Sequence, residues 1–407
     1  MTRIPELTIS LAGHIDHGKT TLTRALTGKW TDTHSEENKR GMTIKLGYAD
    51  LTFRKCPKCK GAECYTSDAK CRICGTNTEE IRTASFIDVP GHEALMTTML
   101  SGASLVDGAI LVVSAKDKCP QPQTREHLMA LELLGIKNII VAQNKIDLVT
   151  PERAKQSYQE IKEFLKGTVA DDAPIIPVSA QFEANIDILL EAIDKFLPTP
   201  TGDKSGKAKM VVVRSFDINR PGSDIEKLKG GVLGGAVMRG SLKVGDKIEI
   251  KPGKKVKKQG AITCVPIMTE IVSAFTGGQS VNEIHPGGSV AIGTLLDPAI
   301  SKSDQLASNI IGKPGETPPV LEKIRINVKL LEHVVGTEEQ ERVKPISQEP
   351  LLLNIGSMVT SGVVTKVKGG EVELTLSIPV CAESGDKLAV SRRVGSRWRL
   401  IGMGTVV

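Results

Sequence analysis

The first 200 residues alternate short aliphatic runs with stretches of helical spacing. Five runs have the length and character of buried parallel strands: residues 7–12, 85–88, 108–113, 138–142 and 175–177. Three segments between them repeat apolar positions at helical spacing: residues 123–134, 151–166 and 186–196. This alternation predicts an α/β domain with a doubly wound, mainly parallel sheet, in which ligands bind at the carboxyl ends of the strands.

The pattern changes near residue 200. Pro198, Pro200 and Gly202 interrupt it and predict a linker. Beyond the linker, frequent glycines and period-two alternation over residues 231–253 favour a small β-barrel. A second break around residues 312–319 begins another β-rich region. We therefore predict three domains: the α/β domain at residues 1–200, with an insertion at residues 56–74, and two β-barrel domains at residues 207–315 and 319–407.

Composition narrows the class of protein. A chain of 407 residues with 40% hydrophobic and 25% charged residues suits two or three globular domains. Aromatic residues make up only 3% of the chain, which argues against stacking platforms for bases. The apolar runs are too short to cross a bilayer or to form the core of a signal peptide. A cytoplasmic location is expected.

The net charge of +6 is distributed unevenly. Residues 1–200 contain 24 basic and 26 acidic residues, so the remaining half carries a net charge of +8. A basic rear half is compatible with contact to nucleic acid. A merely solvated basic surface explains the charge equally well.

A glycine-rich motif follows the first predicted strand. Residues 13–20 read Gly-His-Ile-Asp-His-Gly-Lys-Thr and match G-x-x-x-x-G-K-[ST] between a strand and a helix, the context that this motif requires. The glycines allow the backbone to wrap around phosphates with N–H groups directed inward. Lys19 is expected to reach the β- and γ-phosphates, and the Thr20 hydroxyl is expected to bind Mg²⁺.

Three later elements lie at the ends of predicted strands: Asp88–Gly91, Asn144–Asp147 and Ser179–Gln181, the last of which could cover guanine O6 through backbone N–H groups. Asp88 is expected to support the outer shell of the magnesium ion, and the Gly91 N–H to meet the γ-phosphate. Asp147 ends an Asn-Lys-Ile-Asp segment, where its carboxylate can accept hydrogen bonds from guanine N1 and N2, which adenine does not offer. The predicted nucleotide is therefore GTP. The residues expected to line the nucleotide are Asp16, His17, Gly18, Lys19, Thr20, Thr21, Gly91, Asn144, Lys145, Asp147, Ser179, Ala180 and Gln181.

Two residues between these motifs are candidates for hydrolysis, together with Lys19. Thr43 supplies a hydroxyl suited to completing magnesium coordination when the γ-phosphate is present, so its segment would order with GTP and relax with GDP. His92 is positioned to orient the attacking water. The alternatives are a surface-loop threonine and a histidine at a helix start with no part in catalysis.

Five of the eight cysteines fall between residues 56 and 74. Cys56 with Cys59, and Cys71 with Cys74, form two C-x₂-C pairs separated by 11 residues. Four thiolates at this spacing predict a closed, structural Zn²⁺ site, with Cys64 as an alternative ligand. Three isolated cysteines are expected to be buried apolar residues: Cys119, Cys264 and Cys381.

Together these motifs resemble the translational GTPases, such as elongation factor Tu, over essentially the whole chain. A closer resemblance is to the gamma subunit of archaeal and eukaryotic translation initiation factor 2. Its marks are the Arg-Gly-Met-Thr-Ile-Lys-Leu-Gly-Tyr-Ala-Asp sequence at residues 40–50, the cysteine insertion, and Gly91-His92-Glu93 followed by Ala-Leu-Met. The short segment before the first strand indicates an archaeal member.

This resemblance implies a heterotrimer with alpha and beta subunits. It further implies that the chain binds GTP and initiator methionyl-tRNA, delivers the tRNA to the small ribosomal subunit, and hydrolyses GTP to release it. The family pattern adds Asp16 and Gly41 as participants in a second magnesium site. No internal arginine finger is evident, so slow intrinsic turnover is expected.

Three other functions compete with this one. An elongation factor Tu-like GTPase that delivers other aminoacyl-tRNAs would share the nucleotide site, but the cysteine insertion argues against it. The Asn-Lys-Ile-Asp segment argues against a P-loop kinase or ATPase. Intact Lys19, Thr20, Thr43 and His92 argue against a scaffold with a vestigial nucleotide site.

Overall fold

The chain folds into two compact units, Met1–Pro200 and Thr201–Val407. The computed structural model describes residues 4–31, 47–89, 106–200, 206–220, 222, 224, 226, 228–258, 261–331, 334, 342–395 and 397–407. Within these residues no helix is both long and apolar enough to cross a membrane. The domain limits predicted within the second unit, at residues 315 and 319, stay predictions.

Among its described residues, the first unit contains seven strands and four α-helices. The strands are β1 (Leu7–Ala12), β2 (Gly47–Lys55), β3 (Tyr65–Thr66), β4 (Glu79–Asp88), β5 (Gly108–Ser114), β6 (Ile139–Asn144) and β7 (Ile175–Pro177). The helices are α1 (Lys19–Thr27), α2 (Pro122–Leu133), α3 (Pro151–Leu165) and α4 (Ile186–Phe196).

The seven strands form one sheet in the order β3-β2-β4-β1-β5-β6-β7. The five strands from β4 to β7 in this order are parallel to one another, and β1, β5 and β6 are buried along their whole length. The predicted α/β fold with a mainly parallel sheet is confirmed. Because successive parallel strands end at the same edge, the motifs that follow β1, β4 and β6 are brought together there.

Strands β2 and β3 were not predicted, and β2 pairs antiparallel with both β4 and β3. Buried and half-buried positions alternate along most of β2, as in a strand with one covered face. Because polar residues occupy alternate positions, β2 lacks the continuous aliphatic run by which the other strands were predicted. The antiparallel edge carries the cysteine insertion, which lies between β2 and β4.

Local sequence explains where the helices begin and end. Helix α1 follows Gly18, which has a left-handed backbone, and ends at Gly28, which is also left-handed. The Thr150 side chain accepts a hydrogen bond from the Arg153 N–H and so caps α3, whose first residue is proline. Arg82 donates to the carbonyls of Ile193 and Leu197 at the end of α4, and thereby satisfies acceptors that the helix itself cannot.

The second unit consists of strands with one short α-helix among its described residues. The strands of its first half are β8 (Lys209–Phe216), β9 (Val232–Arg239), β10 (Leu242–Lys243), β11 (Lys247–Lys258), β12 (Ala261–Thr276), β13 (Gln279–Val281), β14 (Glu283–Ile284), β15 (Val290–Thr294) and β16 (Ile310–Gly312), with α5 at Pro298–Ser301. The strands of its second half are β17 (Val320–Leu330), β18 (Pro350–Ile355), β19 (Met358–Lys368), β20 (Glu371–Cys381), β21 (Lys387–Val394) and β22 (Arg397–Val406).

Both halves close into antiparallel barrels, so the prediction of two β-barrels is confirmed. The first sheet runs β11-β16-β8-β9-β15-β12 and closes through pairing of β11 with β12, with β13 added at its edge. The second barrel closes in the order β17-β20-β19-β18-β21-β22. Within this unit Glu383 accepts from Lys209 at 3.1 Å and from Arg239 at 3.2 Å, so ionic contacts link the segment after β20 to β8 and β9.

Candidate nucleotide site and cysteine cluster

The phosphate loop connects β1 to α1 and depends on its two glycines. Gly13 has φ 139°, and a Cβ there would lie 2.3 Å from the Val112 carbonyl oxygen. Gly18 has φ 89°, and a Cβ there would lie 2.4 Å from Asn144 Nδ2. A side chain at Gly13 would collide with the backbone of β5, and one at Gly18 would collide with Asn144 at the end of β6. The loop is therefore held tightly against β5 and β6, at the edge where the predicted nucleotide motifs converge.

Lys19 lies over the phosphate loop at the start of α1. Its Nζ donates to the carbonyl oxygens of Gly13 at 2.9 Å and of His14 at 2.8 Å, and the residue is buried. The backbone of the loop thus holds the Lys19 ammonium group, whose N–H groups can also donate to phosphate oxygens. Asp16 is exposed and has a left-handed backbone with φ 60°, while Thr21 is half-buried in the first turn of α1.

Thr20 and Asp88 meet as a magnesium site requires. Thr20 Oγ1 donates to Asp88 Oδ2 at 2.7 Å, and Asp88 is fully buried at the end of β4. A hydroxyl can offer an oxygen lone pair to a metal ion while its O–H donates a hydrogen bond to a carboxylate. Hard oxygen donors of this kind suit Mg²⁺, which retains several waters and binds proteins through few ligands. The residues present therefore fit a magnesium ion.

Asn144 joins the phosphate loop to a second loop that follows β7. Its Nδ2 donates to the His17 carbonyl oxygen at 2.9 Å, and its Oδ1 accepts from the Ala180 N–H at 3.0 Å. One buried amide thus fixes two loops that are distant in sequence. Ser179 and Ala180 are buried there, whereas Gln181 is exposed.

The residues after Asn144 turn sharply outward. Lys145 has a left-handed backbone with φ 64°, and a single 3₁₀ turn follows at Ile146–Leu148. The Asp147 carboxylate is exposed at this turn, adjacent to the loop that Asn144 holds. Recognition of guanine N1 and N2 requires an accessible carboxylate of this kind.

Four residues of the predicted site lie outside the described residues: Gly41, Thr43, Gly91 and His92. Their roles in magnesium binding, in γ-phosphate contact and in water orientation stay predictions.

Sequence reasoning missed His127, which lies on α2. Its ring is buried, and Nδ1 accepts a hydrogen bond from the Gly13 N–H at 2.9 Å. Burial lowers the pKa of His127 well below its ordinary value, and the Lys19 charge lowers it further. The ring is therefore neutral with its proton on Nε2. No local pattern could reveal this role, because its partner is a backbone group 114 residues away.

His17, within the phosphate loop, also holds the loop against β5. Its Nδ1 donates to the Val112 carbonyl oxygen at 3.1 Å. Burial lowers the pKa of His17 to about 4, so the ring is neutral at pH 7. Its Nε2 lies 3.8 Å from Asp117, and because the ring is neutral this approach is not an ion pair. The structure gives His17 a role in the shape of the loop.

The four paired cysteines converge on one point. All four Sγ atoms lie within 4.8 Å of one another, with separations of 3.5 Å for Cys56–Cys74, 3.7 Å for Cys59–Cys71 and 3.6 Å for Cys59–Cys74. Tetrahedral Zn²⁺ with bonds of about 2.3 Å requires sulfur separations of about 3.8 Å. The donor set and its dimensions therefore fit zinc. Cys64 is separate, since its thiol donates to the Gly61 carbonyl at 2.8 Å.

The surroundings of the cluster favour thiolates at some positions only. Hydrogen bonds from the Thr76 side chain and backbone lower the pKa of Cys74 to about 6. The pKa of Cys59 is instead raised to about 12, mainly by the hydrogen bond between its thiol and Cys74. Four adjacent thiols cannot all ionise without a cation among them, and a dication supplies that charge. Of the isolated cysteines, Cys119 and Cys381 are buried as expected, whereas Cys264 is half-buried.

Two family models match the chain. The model of the elongation factor Tu GTP binding domain matches residues 5–199. The model of the initiation factor eIF2 gamma C-terminal region matches residues 322–406. The first coincides with the α/β unit and the second with the closed barrel of β17 to β22.

Solved structures share this fold at low sequence identity. A bacterial selenocysteine-specific elongation factor, EF-Sec, superposes with a TM-score of 0.74 at 24% identity over 99% of this chain, which spans 58% of that protein. The elongation factor SelB from Methanococcus maripaludis, solved with the GTP analogue GPPNHP, gives a TM-score of 0.73 at 23% identity over 100% of this chain and 79% of that one.

Curated relatives are far more similar. Translation initiation factor 2 subunit gamma of Pyrococcus horikoshii is 58% identical over 100% of this chain and 98% of its own length. The same subunit of Methanothermobacter thermautotrophicus is 56% identical over 98% of both chains, and that of Methanocaldococcus jannaschii is 56% identical over 98% of this chain and 97% of its own. The chain therefore belongs to the family of translation initiation factor 2 subunit gamma, and it is a translational GTPase of initiation.

Proposed function

We propose that the GTP-bound chain binds initiator methionyl-tRNA, delivers it to the small ribosomal subunit, and releases it when GTP is hydrolysed. One observation supports this proposal: the phosphate loop, the Thr20–Asp88 pair and the two loops joined by Asn144 converge at one edge of the sheet. The chain that carries them belongs to the initiation-factor family. A switch that senses the γ-phosphate needs these elements in contact with the same ligand.

Each described element has a proposed part in binding GTP. The N–H groups of the phosphate loop and Lys19 would hold the phosphates, and their positive charge would stabilise the charge of the transferring phosphoryl group. Asp147 would select guanine, while the loop at Ser179–Gln181, held by Asn144, would cover guanine O6. His92 would orient the attacking water, a positioning role in phosphoryl transfer.

Two kinds of metal ion belong to this proposal. Mg²⁺ would neutralise phosphate charge, with Thr20 and Thr43 as ligands and Asp88 in its outer shell; Asp16 and Gly41 are the proposed participants in a second magnesium site. Zn²⁺ would be held by the four clustered cysteines and would only stabilise the insertion, because four protein ligands leave no position for water.

The proposed partners are the alpha and beta subunits of the same factor and the small ribosomal subunit. The experiment that tests the function is tRNA binding by the chain with its alpha partner, in GTP and in GDP. Tight binding of initiator methionyl-tRNA in GTP only is the expected result. Equal binding of deacylated or elongator tRNA would refute the initiation role.

The other candidate, an elongation factor that delivers other aminoacyl-tRNAs, would share the match of residues 5–199 to the elongation factor Tu GTP binding domain, whereas the match of residues 322–406 to the eIF2 gamma C-terminal region favours initiation. Both candidates share the nucleotide chemistry and differ in cargo. The same binding experiment distinguishes them, because an elongation factor would prefer elongator aminoacyl-tRNAs and would discriminate against the initiator.

A further inference from the structure

Thr31 lies four residues beyond the end of α1, and its side chain returns to the proposed magnesium site. Its Oγ1 donates to Asp88 Oδ2 at 2.9 Å, the same oxygen that accepts from Thr20 at 2.7 Å. Asp88 is fully buried. A buried carboxylate is costly unless hydrogen bonds stabilise its charge. The two hydroxyls therefore stabilise the ionised form of Asp88 and hold the carboxylate in one orientation, because rotation of the carboxylate would break both bonds.

A glycine at the start of β2 makes room for this contact. Gly47 lies opposite Asp88 in the antiparallel pairing of β2 with β4. A Cβ at Gly47 would lie 2.6 Å from Thr31 Cβ and 3.2 Å from Thr31 Oγ1. Any side chain at residue 47 would thus displace Thr31. Glycine at residue 47 therefore leaves the space in which Thr31 reaches the carboxylate.

We propose that Thr31 is a positioning residue for the magnesium ion of the nucleotide complex. It acts through Asp88: its hydroxyl fixes the carboxylate beside Thr20, so that both are already oriented when the ion binds with the nucleotide. This inference rests on the magnesium site proposed above for Thr20 and Asp88. Preorganised donors lose less freedom on binding, so removal of the hydroxyl weakens metal binding more than nucleotide binding.

The test compares two substitutions of Thr31 in the full chain. Thr31→Val removes the hydroxyl and preserves the shape that packs over Gly47, whereas Thr31→Ser retains the hydroxyl. Release of a fluorescent GDP, labelled with N-methylanthraniloyl, is timed over a series of free Mg²⁺ concentrations. The Mg²⁺ concentration that half-protects GDP from release is expected to rise roughly tenfold in Thr31→Val, as for a lost hydrogen bond to a charged group. Thr31→Ser is expected to match the wild type.

Release in excess EDTA separates positioning from a general loosening of the pocket. Without metal, the wild type and both variants are expected to release GDP at the same rate. If Thr31→Val accelerates release equally at every Mg²⁺ concentration and in EDTA, Thr31 is only structural and the inference is overturned. Gly47→Ala gives an independent variant, because it displaces the Thr31 side chain and leaves its hydroxyl present; it is expected to raise the half-protecting concentration as Thr31→Val does.

Thr20→Val distinguishes failure of the inference from failure of the site on which it rests. Loss of most of the Mg²⁺ dependence is expected in this variant. If Thr20→Val retains normal Mg²⁺ dependence, the proposed magnesium site is wrong. If Thr20→Val loses the dependence while Thr31→Val and Gly47→Ala behave as the wild type, the site stands and the role of Thr31 is refuted.

Discussion

At the scale of single residues, the site is built from buried polar side chains that each fix a backbone segment. Asn144 holds the phosphate loop and the loop after β7, and His127 holds the first glycine of the phosphate loop. A buried amide or imidazole left without such partners would cost free energy comparable to a lost hydrogen bond. These residues therefore stabilise the two loops of the proposed nucleotide site.

Guanine selection is expected to depend on Asp147. Asp147→Asn replaces an acceptor by a donor opposite guanine N1 and N2, so GTP affinity should fall strongly and affinity for xanthosine triphosphate should rise. A site that hydrogen-bonds its ligand rejects an unmatched analogue by about 10⁴ or more. Competition binding with the two nucleotides measures the switch, and unchanged GTP affinity in the variant would show that Asp147 does not read the base.

His92 is expected to act in hydrolysis only. His92→Ala should slow single-turnover GTP hydrolysis by roughly 10²-fold or more, the usual contribution of a positioned general base or its equivalent. GTP affinity should barely change, because a group that acts in the transition state contributes little to ground-state binding. Equal hydrolysis rates for the variant and the wild type would assign His92 a structural role.

The neutral state of His17 predicts acid sensitivity of the first unit. Because burial lowers the pKa of His17 from 6.5 to about 4, the unfolded chain binds a proton there that the folded chain does not. Between these values the free energy of unfolding falls as the pH falls, by at most roughly 3 kcal/mol. Above pH 6.5 this residue contributes no pH dependence.

Urea unfolding from pH 4 to pH 7, followed by Trp30 fluorescence in a Trp398→Phe background, measures the effect. His17→Asn keeps a donor for the Val112 carbonyl and does not titrate, so its stability should depend less on pH over this range. Identical pH profiles for the two proteins would contradict the neutral buried ring.

At the scale of elements, the cysteine insertion is tied to the last helix of its unit. Tyr65 lies in β3 within the insertion and donates its hydroxyl to Asp194 of α4 at 3.1 Å. Asp194 in turn lies 3.2 Å from Arg82 Nε, whose other nitrogens bind the end of α4. Loss of order in the insertion should therefore destabilise α4 more than it destabilises the phosphate loop.

Metal analysis of the purified chain should give one Zn²⁺ per molecule, and Cys59→Ser should lower that value. Cys64→Ser is the matched control, since this thiol lies in the same insertion but outside the cluster. Chelation should raise amide exchange in residues 56–78 and in α4 and leave GDP affinity within a few-fold. Disulfides without metal in protein prepared anaerobically would disprove the zinc assignment.

At the scale of the whole molecule, the basic charge lies in the second unit and includes a lysine run on β11. Lys254, Lys255 and Lys257 are exposed, whereas Lys251 is partly engaged by Glu249 at 3.1 Å. The structure thus divides the run into exposed charges available to phosphate and one that is already paired. The alternative to a tRNA contact is a solvated strand.

If this run contacts tRNA, replacing Lys251, Lys254, Lys255, Lys257 and Lys258 by Gln should weaken GTP-dependent tRNA binding. The slope of log affinity against log salt should also become shallower, by about 0.7–0.9 for each phosphate that the lysines no longer neutralise. Lys366→Gln with Lys368→Gln removes two exposed charges from β19 and serves as a control for loss of charge elsewhere in the second unit. If the tRNA affinity and the salt slope of the variant both equal those of the wild type, the lysine run does not contact tRNA.

Local sequence was sufficient for features whose partners are close in the chain. The phosphate motif, the strand and helix periods of the first unit and the two C-x₂-C pairs each lie within a few residues, so spacing alone predicted the fold class, the GTPase and the cysteine cluster. The antiparallel strand β2 was not predicted, because one of its faces is only half-buried. Its sequence therefore alternates and lacks a continuous aliphatic run.

Tertiary structure decided the features whose partners are distant in the chain. Thr31 reaches Asp88 across 57 residues and His127 reaches Gly13 across 114, and neither pair has a sequence pattern, because the order of strands in the sheet sets which ends meet. The same holds for closure of the first barrel by β11 and β12. Sequence specified which groups carry the chemistry, and packing of the sheet specified which of them hold one another in place.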